Sequence, residues 1–541
     1  MRALAAVIVA LGLALPMPAH GAGSATSNVA TGVQAASSTA DPDRPAICTR
    51  ALLVLGRAEV DARRFAADDL LVIGSWTVRP RAQSWRAMAP RHPMWTMVFH
   101  SSAWLIPDDT TGLEQAVTWM EMQARANPDR GRAAATSASG WQEGQVTKRL
   151  NTALCLYGWA RDAELRERLE PVIEGLVAAA LDPLRYAGPP RRRPHNHGLM
   201  ADRALLDASR ALDRPEWAAR ARERVALQFK STFDECGMVR EQSASYLRLH
   251  IRLWEDIARW IGEPVSDQVL RQVVRSRSLL RALTRPDGRL EFIGDGRELR
   301  PGTDGAAPRA WCPETGWYAR TWTVGKSGLT QHAVVRFGPR MRGHGHADHG
   351  ATTWWVGSGA DGVAVLTDRG MHAKILGSRL RYARSSAAHS TLQGIDGPSR
   401  AMTGDLRQDG HTVVLETRGT QDQDAQGEPG WTRRLDFVEG PPSERQAVLA
   451  VTDRLDSKRP IKVAQRFTLD PAWQQVGPGT FRTRSGWRLT VRCDAGTPVS
   501  EVVEHYPDKG HIDRALSVDC TGLLGGDGTA LRATLTVRPP R

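Results

Sequence analysis

The chain has 541 residues, of which 41% are hydrophobic and 24% charged, and its formal net charge at pH 7 is +13. This length allows two or three domains with ordinary cores, and the composition excludes a collagen-like, low-complexity or largely disordered protein. The charge comes mainly from arginine, which favours a polyanionic partner with carboxylates or sulfates, although a biased genomic base composition would produce the same excess.

The N-terminus is predicted to be an export signal. Residues 1–22 are typical of a secretory signal peptide, since Arg2 is followed by the apolar run Ala3 to Leu15 and then by small residues suited to cleavage. Residues 23–44, rich in Ala, Ser, Thr and Gly, predict a flexible lead-in. No stretch is long and apolar enough to span a bilayer, so we expect a soluble periplasmic or secreted protein without a membrane anchor.

Six cysteines are scattered along the chain, at Cys48, Cys155, Cys236, Cys312, Cys493 and Cys520. In an oxidising compartment some of them are expected to pair, and Cys493 with Cys520 is the most local possibility. Because none lies in a CxxC motif, thiol redox chemistry is not indicated.

Residues 45–305 are predicted to form a helical domain. Apolar residues recur there at helical spacing, for example Leu165, Leu169, Val172 and Leu176. We expect prolines such as Pro171 and Pro183 to separate helices of roughly 12 to 18 residues. Many helices in series predict an α/α toroid, because a four-helix bundle would be too small for this length.

The pattern changes near residue 286. A short strand is predicted at Arg289–Ile293 between two turn signals, and after about Thr321 short alternating apolar runs are separated by Gly, Asp and Pro. The predicted strands are His332–Phe337, Thr352–Val356, Val363–Leu366, Thr412–Thr417, Arg433–Val438, Gln446–Thr452, Val463–Leu469, Trp487–Arg492 and Leu531–Val537. We therefore predict an α+β multidomain chain in which residues 306–541 form an antiparallel β-sandwich.

Two polar stretches interrupt the helical region. The first contains Arg191, Arg192 and Arg193 followed by His195-Asn196-His197, where arginines suit an acidic polymer and the amide and imidazole can neutralise a carboxylate. A helix N-terminus capped by Asn196 is the plain structural alternative. The second places Arg240 shortly before Tyr246; a tyrosine beside basic groups can transfer protons, although most such tyrosines simply pack.

A histidine cluster lies near the start of the strand region, in Gly343-His344-Gly345-His346-Ala347-Asp348-His349. If this segment is extended, His344 and His346 point to the same side. Together with Asp368 and His389, His346 would give nitrogen and oxygen ligands suited to zinc or a similar divalent ion. The alternative is a solvated histidine-rich hairpin that binds no metal.

In combination and in this order, these stretches resemble the heparinase II/III-like polysaccharide lyases, which include heparin, heparan sulfate and alginate lyases. The motifs that carry the resemblance are His195-Asn196-His197-Gly198, Glu241-Gln242-Ser243-Ala244-Ser245-Tyr246, Gly294-Asp295-Gly296-Arg297, Gly343 to His349, Asp368-Arg369-Gly370 and Arg384 to Thr391. The resemblance implies an α/α toroid followed by an antiparallel β-sandwich, and β-elimination at a uronic acid. An additional tyrosine that some members carry between the aspartate and the last histidine has no clear counterpart, since only Tyr382 is near.

The resemblance also implies roles for individual residues. Asn196, assisted by His197, corresponds to the group that neutralises the uronate carboxylate, and Tyr246 and His344 correspond to the catalytic tyrosine and histidine. The metal positions, occupied by structural Zn²⁺ in some members, correspond to His346, Asp368 and His389. Arg191, Arg192, Arg193 and Arg240 are expected to contact substrate.

The expected partner is thus an anionic polysaccharide, and the arginine-rich loop slightly favours a glycosaminoglycan of the heparan or hyaluronan type. Alginate or a bacterial exopolysaccharide remains an alternative. Nucleic acid is not expected, because the chain has no basic helix, zinc finger or stacked-aromatic RNA motif. A non-catalytic polyanion-binding protein and a glycoside hydrolase using Glu241 and Asp295 are the competing functions.

Overall fold

The computed structural model describes the following residues: 45–52, 60–61, 71–73, 76–78, 93–129, 140–262, 265–300, 309–324, 328–337, 343–372, 377–394, 403–418, 430–439, 444–508, 511–526 and 529–540. The predicted signal peptide (1–22) and lead-in (23–44) lie outside these ranges. None of the described helices combines the length and the apolar character needed to cross a membrane.

Helices dominate up to residue 282. They are α1 (Ala46–Leu52), α2 (Pro93–Ser101), α3 (Leu113–Ala126), α4 (Glu143–Trp159), α5 (Ala163–Leu181), α6 (Asn196–Ala211), α7 (Pro215–Thr232), α8 (Ala244–Ile261) and α9 (Val265–Ala282). Helix α8 illustrates why they form, because the Ser243 hydroxyl caps it by accepting from the Tyr246 backbone N–H at 3.4 Å. One apolar stripe of α8, including Leu247, Ile251 and Trp254, is buried.

One sequence prediction for this region is wrong, and one feature of the region was not predicted. Pro171 does not end a helix but lies inside α5, where Leu169, Ile173 and Leu176 are buried around it. Their burial outweighs the lost backbone hydrogen bond, which costs about 3 kcal/mol. The region also contains a small antiparallel sheet of three short strands, β1 (Val60–Asp61), β2 (Leu71–Ile73) and β3 (Trp76–Val78), which the helical periodicity did not reveal.

The second part of the chain is built from antiparallel strands. They are β4 (Arg309–Cys312), β5 (Trp317–Val324), β6 (Leu329–Arg336), β7 (Thr352–Ser358), β8 (Asp361–Leu366), β9 (Leu392–Gln393), β10 (Thr403–Asp409), β11 (Thr412–Arg418), β12 (Gly430–Glu439), β13 (Ala447–Asp456), β14 (Ile461–Leu469), β15 (Gln474–Gly477), β16 (Thr480–Arg482), β17 (Arg488–Cys493), β18 (Val499–His505), β19 (Asp513–Leu524) and β20 (Ala530–Arg538). A short helix, α10 (Ser378–Ala383), lies between β8 and β9. The predicted order of helices followed by antiparallel strands is confirmed. The predicted strand Arg289–Ile293 is wrong, because only an isolated bridge between Thr284 and Leu290 forms there.

These strands form two large sheets. One has the order β10-β11-β12-β13-β20-β17-β16-β15, and the other has the order β18-β19-β14-β8-β7-β6-β5-β4, with β9 paired to β14. Side chains from both sheets pack in one core, where Phe437 of β12 contacts Trp322 of β5 and Trp354 of β7 with ring centroids 5.0 and 6.4 Å apart. Aromatic packing of this kind stabilises the contact beyond the area that it buries.

The helical part is joined to the second sheet by a shared core and by a disulfide. Residues of α8 and α9 pack with Cys312, Trp317 and Val334 of β4 to β6. Cys236, between α7 and α8, forms a disulfide with Cys312, so a covalent bond crosses this seam. The other disulfides are Cys48–Cys155 and the pair favoured by spacing, Cys493–Cys520.

Candidate active site

Three segments meet at the seam and are linked through their backbones. The N–H of His344 donates to the carbonyl of Glu241 at 3.0 Å, and the N–H of Asp295 donates to the carbonyl of His344 at 2.7 Å. The segments before α8, after α9 and before β7 are therefore held in fixed register. Residues 49 or more positions apart in the sequence become neighbours in one site.

A glycine makes this close approach possible. Gly294 has a φ of +86°, and a Cβ at this position would lie 2.8 Å from the carbonyl oxygen of Gln242 and 3.0 Å from that of His344. A side chain would therefore push the segments apart, and the left-handed backbone conformation would be strained. The turn signal Gly294-Asp295-Gly296 in the sequence thus reflects a close contact between backbones.

The Tyr246 ring and the His344 imidazole are stacked, with centroids 3.5 Å apart and planes inclined by 15°. Tyr246 lies in the first turn of α8, whereas His344 belongs to the segment that leads into β7. The His195 ring, at the N-terminal cap of α6, is 6.1 Å from His344 between centroids. A phenol and two imidazoles, all capable of proton transfer, therefore lie close together.

Glu241 contacts groups from several of these segments. Its Oε1 lies 3.3 Å from Nε2 of His250 and accepts from the backbone N–H of Asn196, while its Oε2 lies 3.5 Å from Nε2 of His344. Burial alone would raise the pKa of this carboxyl, but attraction and hydrogen bonding by His250, with further attraction from His344 and His195, lower it to about 2. The carboxylate is thus ionised at neutral pH, and its two oxygens contact Asn196 and His344 respectively.

Asp295 orients both histidines of the cluster. Its Oδ2 lies 2.8 Å from Nδ1 of His344, its Oδ1 lies 2.8 Å from Nε2 of His346, and Arg384 contacts both oxygens. Burial opposes ionisation, but the hydrogen bonds from the two histidines and the arginine outweigh it and hold the pKa of Asp295 far below its usual range. Because a carboxylate only accepts, each histidine nitrogen that faces it carries the hydrogen. Nε2 of His344, which lies 3.5 Å from Oε2 of Glu241 but makes no hydrogen bond with a described residue, is then the nitrogen available for proton transfer.

The three predicted metal ligands lie together. His346, Asp368 and His389 are all buried, and their potential ligand atoms lie within 4.8 Å of one another. Nδ1 of His346 is buried without a hydrogen-bond partner among the described residues, as is Nε2 of His389. Since Asp295 accepts from the opposite nitrogen of His346, a lone pair remains on Nδ1, as in metal-bound histidines supported by a carboxylate. The residues therefore fit a divalent ion.

Two other groups have a comparable arrangement. His195, Glu241 and His344 also bring potential ligand atoms within 4.8 Å of one another, as do Asp234, Cys236 and Cys312. The two cysteines of the second group are joined in a disulfide, which removes their thiolates as ligands.

Asn196 and His197, which were also predicted as site residues, lie in different surroundings. Asn196 is buried beside Glu241, and its Oδ1 has no hydrogen-bond partner in the described part of the chain. The ring of His197 packs against that of His195, with centroids 4.6 Å apart, and its Nδ1 lies 3.8 Å from Oε1 of Glu143. The helix cap is His195, not Asn196, because the His195 Nδ1 accepts from the His197 backbone N–H at 3.1 Å.

The predicted substrate arginines are divided between two environments. Arg191, Arg192 and Arg193 are exposed on the loop before α6, and Arg192 donates to the carbonyl of Leu184 at 3.1 Å. Arg240 instead forms an ion pair with Glu314 across the seam. Its guanidinium is thus already engaged by a carboxylate of the chain.

Sequence reasoning did not assign the supporting roles of His195, Glu241, Asp295 and Arg384. Glu241 and Asp295 were considered only as a hydrolase pair. Each stands within a motif that carried the family resemblance, but burial and contacts to histidines from other segments have no local sequence signal.

Comparisons with known proteins agree with this architecture. Residues 304–520 match the family model described as Heparinase II/III-like, C-terminal. A crystal structure of heparinase III has a TM-score of 0.68 at 13% sequence identity, covering 92% of this chain and 85% of that chain. Heparan sulfate lyase HepC from Pedobacter heparinus has a TM-score of 0.58 at 13% identity, covering 92% and 84%. A search of curated proteins returned no match.

Proposed function

Since residues 304–520 carry a heparinase II/III-like C-terminal domain, we propose that this chain is a polysaccharide lyase that cleaves a uronic-acid-containing polymer by β-elimination. The observation that carries the proposal is the stack of Tyr246 on His344, with Asn196 held against the same Glu241 carboxylate. Residues from the helical and strand regions thus offer two proton-transfer groups and one amide to a single sugar ring.

In the proposed reaction the substrate carboxylate is neutralised first. The Asn196 side chain, next to the half-buried His195 and His197, provides this function and stabilises negative charge that develops as the proton leaves C5. His344 or Tyr246 removes that proton. The electron pair forms the C4–C5 double bond, the bond from C4 to the linking oxygen breaks, and Tyr246 supplies the proton that the departing oxygen takes up.

Asp295 supports this chemistry by holding His344. Its hydrogen bond to Nδ1 fixes the ring so that Nε2 faces the site, and its ionised state stabilises an imidazolium after proton uptake. Glu241, also ionised, lies 3.5 Å from Nε2 of the same ring. Neither carboxyl has the raised pKa that a glycosidase acid needs at neutral pH, which argues against the hydrolase alternative.

The proposed metal is zinc, held by His346, Asp368 and His389. Bound there, it would supply a fixed positive charge and crosslink the segments before β7, after β8 and before β9. Asp295 lies between His346 and His344, so the ligand set and the proposed catalytic histidine share one support.

The proposed substrate is a glycosaminoglycan, because similar folds are named heparinase III and heparan sulfate lyase and because exposed Arg191, Arg192 and Arg193 lie just before α6. Alginate or a bacterial exopolysaccharide is the alternative substrate.

We further propose that residues 45–305 form an α/α toroid and residues 306–541 a β-sandwich. We also propose that the predicted signal peptide directs the chain to the periplasm or the medium.

The test is incubation of the purified chain with heparan sulfate, hyaluronan, chondroitin sulfate, alginate and polyglucuronate. The expected result is a rise in ultraviolet absorbance with at least one polymer and products whose mass shows an unsaturated uronate. Products heavier by one water would indicate hydrolysis. Binding without product, unchanged in Tyr246→Phe, would indicate a non-catalytic polyanion-binding protein.

A further inference from the structure

His195, Glu241 and His344 form a second group of potential metal ligands, within the proposed active site. One atom from each of the three residues lies within 4.8 Å of the other two. The residues come from the cap of α6, the segment before α8 and the segment before β7. They share no residue with the proposed zinc site that contains His346.

The contact between Glu241 and His344 joins two acceptor atoms. Because Nδ1 of His344 donates to Asp295, Nε2 presents a lone pair, and it lies 3.5 Å from Oε2 of Glu241. Both atoms are buried, and neither has a hydrogen-bond partner among the described residues. Two facing acceptors repel each other unless a positive charge lies between them.

The distance between these two atoms favours a metal ion over a shared proton. A charge-assisted hydrogen bond would bring the nitrogen and the oxygen to about 2.7 to 2.9 Å. In tetrahedral zinc sites, bonds of about 2.0 to 2.2 Å place neighbouring nitrogen and oxygen ligands roughly 3.4 Å apart. The observed 3.5 Å is close to this second value.

His195 can supply the third ligand. Its ring centroid lies 6.1 Å from that of His344, compared with 5.3 Å between His346 and His389 in the proposed zinc site. Its Nδ1 accepts from the backbone N–H of His197. Binding an ion through either nitrogen ends this helix cap, because a neutral ring that gives one lone pair to an ion carries its hydrogen on the other nitrogen. An ion in this group is therefore bound more weakly than an ion in the proposed zinc site.

We propose that His195, Glu241 and His344 form a second metal site, which binds zinc or a similar divalent ion, and that the bound ion inhibits the chain. Two imidazoles and one carboxylate suit such an ion. The inference rests on the proposed lyase function, because an ion on Nε2 of His344 blocks the nitrogen that is available for proton transfer. Zinc at low concentration then stabilises the protein, and zinc at higher concentration inhibits it.

The first measurement is a calorimetric titration with zinc of the full chain, after a chelator has removed bound metal. The wild type is expected to bind two ions, one more tightly than the other. His389→Ala should lose the tighter binding event. His195→Asn should weaken only the other event, by at least about tenfold, because loss of a ligand costs at least as much as loss of a residue that supports one. Asparagine still caps a helix, and circular dichroism verifies that the variants fold.

The second measurement is inhibition by zinc on any polymer that the wild type cleaves, with each variant compared with its own rate in the absence of zinc. Half-inhibition of His195→Asn should need at least about tenfold more zinc than that of the wild type. His511→Asn is the matched control, because His511 also faces a carboxylate, that of Asp513 at 2.9 Å, but belongs to no group of three potential ligands in the described ranges. It should behave as the wild type. Magnesium, which prefers oxygen ligands, should not inhibit.

Wild-type protein that binds fewer than two zinc ions would overturn the second metal site. Two binding events that His195→Asn leaves unchanged would do the same. Equal inhibition by magnesium and zinc would overturn the inhibitory role, because it would assign the effect to the charge of the polymer. If the wild type cleaves no polymer, the lyase function fails and the inhibitory role fails with it, whereas calorimetry still decides whether the second metal site exists.

Discussion

The imidazole of His344 lies flat on the phenol ring of Tyr246, with 3.5 Å between the ring centroids. The two residues are contributed by different parts of the fold and are brought together by the backbone hydrogen bond from His344 to Glu241. Their contact is therefore a property of the assembled seam.

Removing the Tyr246 hydroxyl should abolish most activity while leaving the fold intact. Tyr246→Phe keeps the ring stack but deletes the proton donor, and general acid–base groups typically contribute 10²- to 10⁴-fold to the rate. We expect kcat to fall by about a thousandfold, measured from the appearance of unsaturated product. Tyr157→Phe, whose hydroxyl contacts Glu170 on the helical surface, should retain full activity. Comparable activity in both variants would exclude Tyr246 from catalysis.

Asp295→Asn should lower both activity and metal retention. The amide has the size of the carboxylate, but it cannot accept through both of its terminal atoms from His344 and His346. Loss of such a supporting group typically reduces activity or metal affinity about 10- to 100-fold. Steady-state kinetics and metal analysis by mass spectrometry measure the two effects. Asp436→Asn, on the strand β12, is the control, and a normal kcat in Asp295→Asn would contradict the orienting role.

Removal of a divalent ion should lower thermal stability. Protein dialysed against a chelator is expected to unfold at lower temperature and to recover when zinc is added, because an ion at a thousand times its Kd stabilises by about 4 kcal/mol. His389→Ala should bind less metal and respond little to zinc, whereas His511→Ala, at an exposed residue, should behave as the wild type. Wild-type protein that neither retains metal nor responds to zinc would refute the site.

Stability should fall as the pH rises from about 4 to 7 because of Asp202. Burial, opposed by the Tyr186 hydrogen bond and by Arg224, raises the pKa of this carboxyl from 3.8 to about 7. The folded state therefore binds a proton more tightly than the unfolded state, and its stabilisation by that proton, roughly 4 kcal/mol, is lost over this pH range. Asp202→Asn should remove this contribution in denaturant titrations, whereas Asp213→Asn, at an exposed position, should keep it. Parallel pH profiles for all three proteins would contradict the assignment.

Breaking the seam disulfide should impair activity more than breaking a remote one. Cys236–Cys312 and Cys493–Cys520 close loops of 76 and 27 residues, so replacing either pair with serine is expected to cost about 4 kcal/mol. Only the first replacement loosens the contact between Tyr246 and His344, because only that disulfide crosses from the helical region to β4. We expect a lower kcat for Cys236→Ser/Cys312→Ser at a temperature where both variants are folded. Equal kcat values would show that the noncovalent seam is sufficient.

The general architecture could be predicted because it depends on periodicity. Apolar residues at helical spacing in α5 and α8 and alternating residues in β13 and β20 each indicate a buried face directly. Edge strand β18 escaped prediction because Val499 and Val502 are exposed, so its alternation does not separate an apolar face from a polar one. Pro171 was misassigned because local propensity does not include the burial of its neighbours.

The candidate site, like the fold, could be predicted from the sequence only in part. Tyr246, His344 and the three metal-ligand candidates could be nominated from their residue types and motif order. The roles of Glu241 and Asp295 could not, because they depend on which histidines face each carboxylate, and those partners come from distant segments. His197 was nominated for its chemistry, and its ring contacts both the His195 ring and Glu143, neither of which was foreseen as its partner.

The backbone bond between His344 and Glu241 means that the two portions of this chain are not interchangeable modules. A fragment containing only the strands would keep the three metal-ligand candidates and lose the phenol, and a helical fragment would keep the phenol and lose its imidazole partner. A chimera that joins one portion of this chain to the complementary portion of a distant homologue would have to reproduce this spacing between the segments to be active.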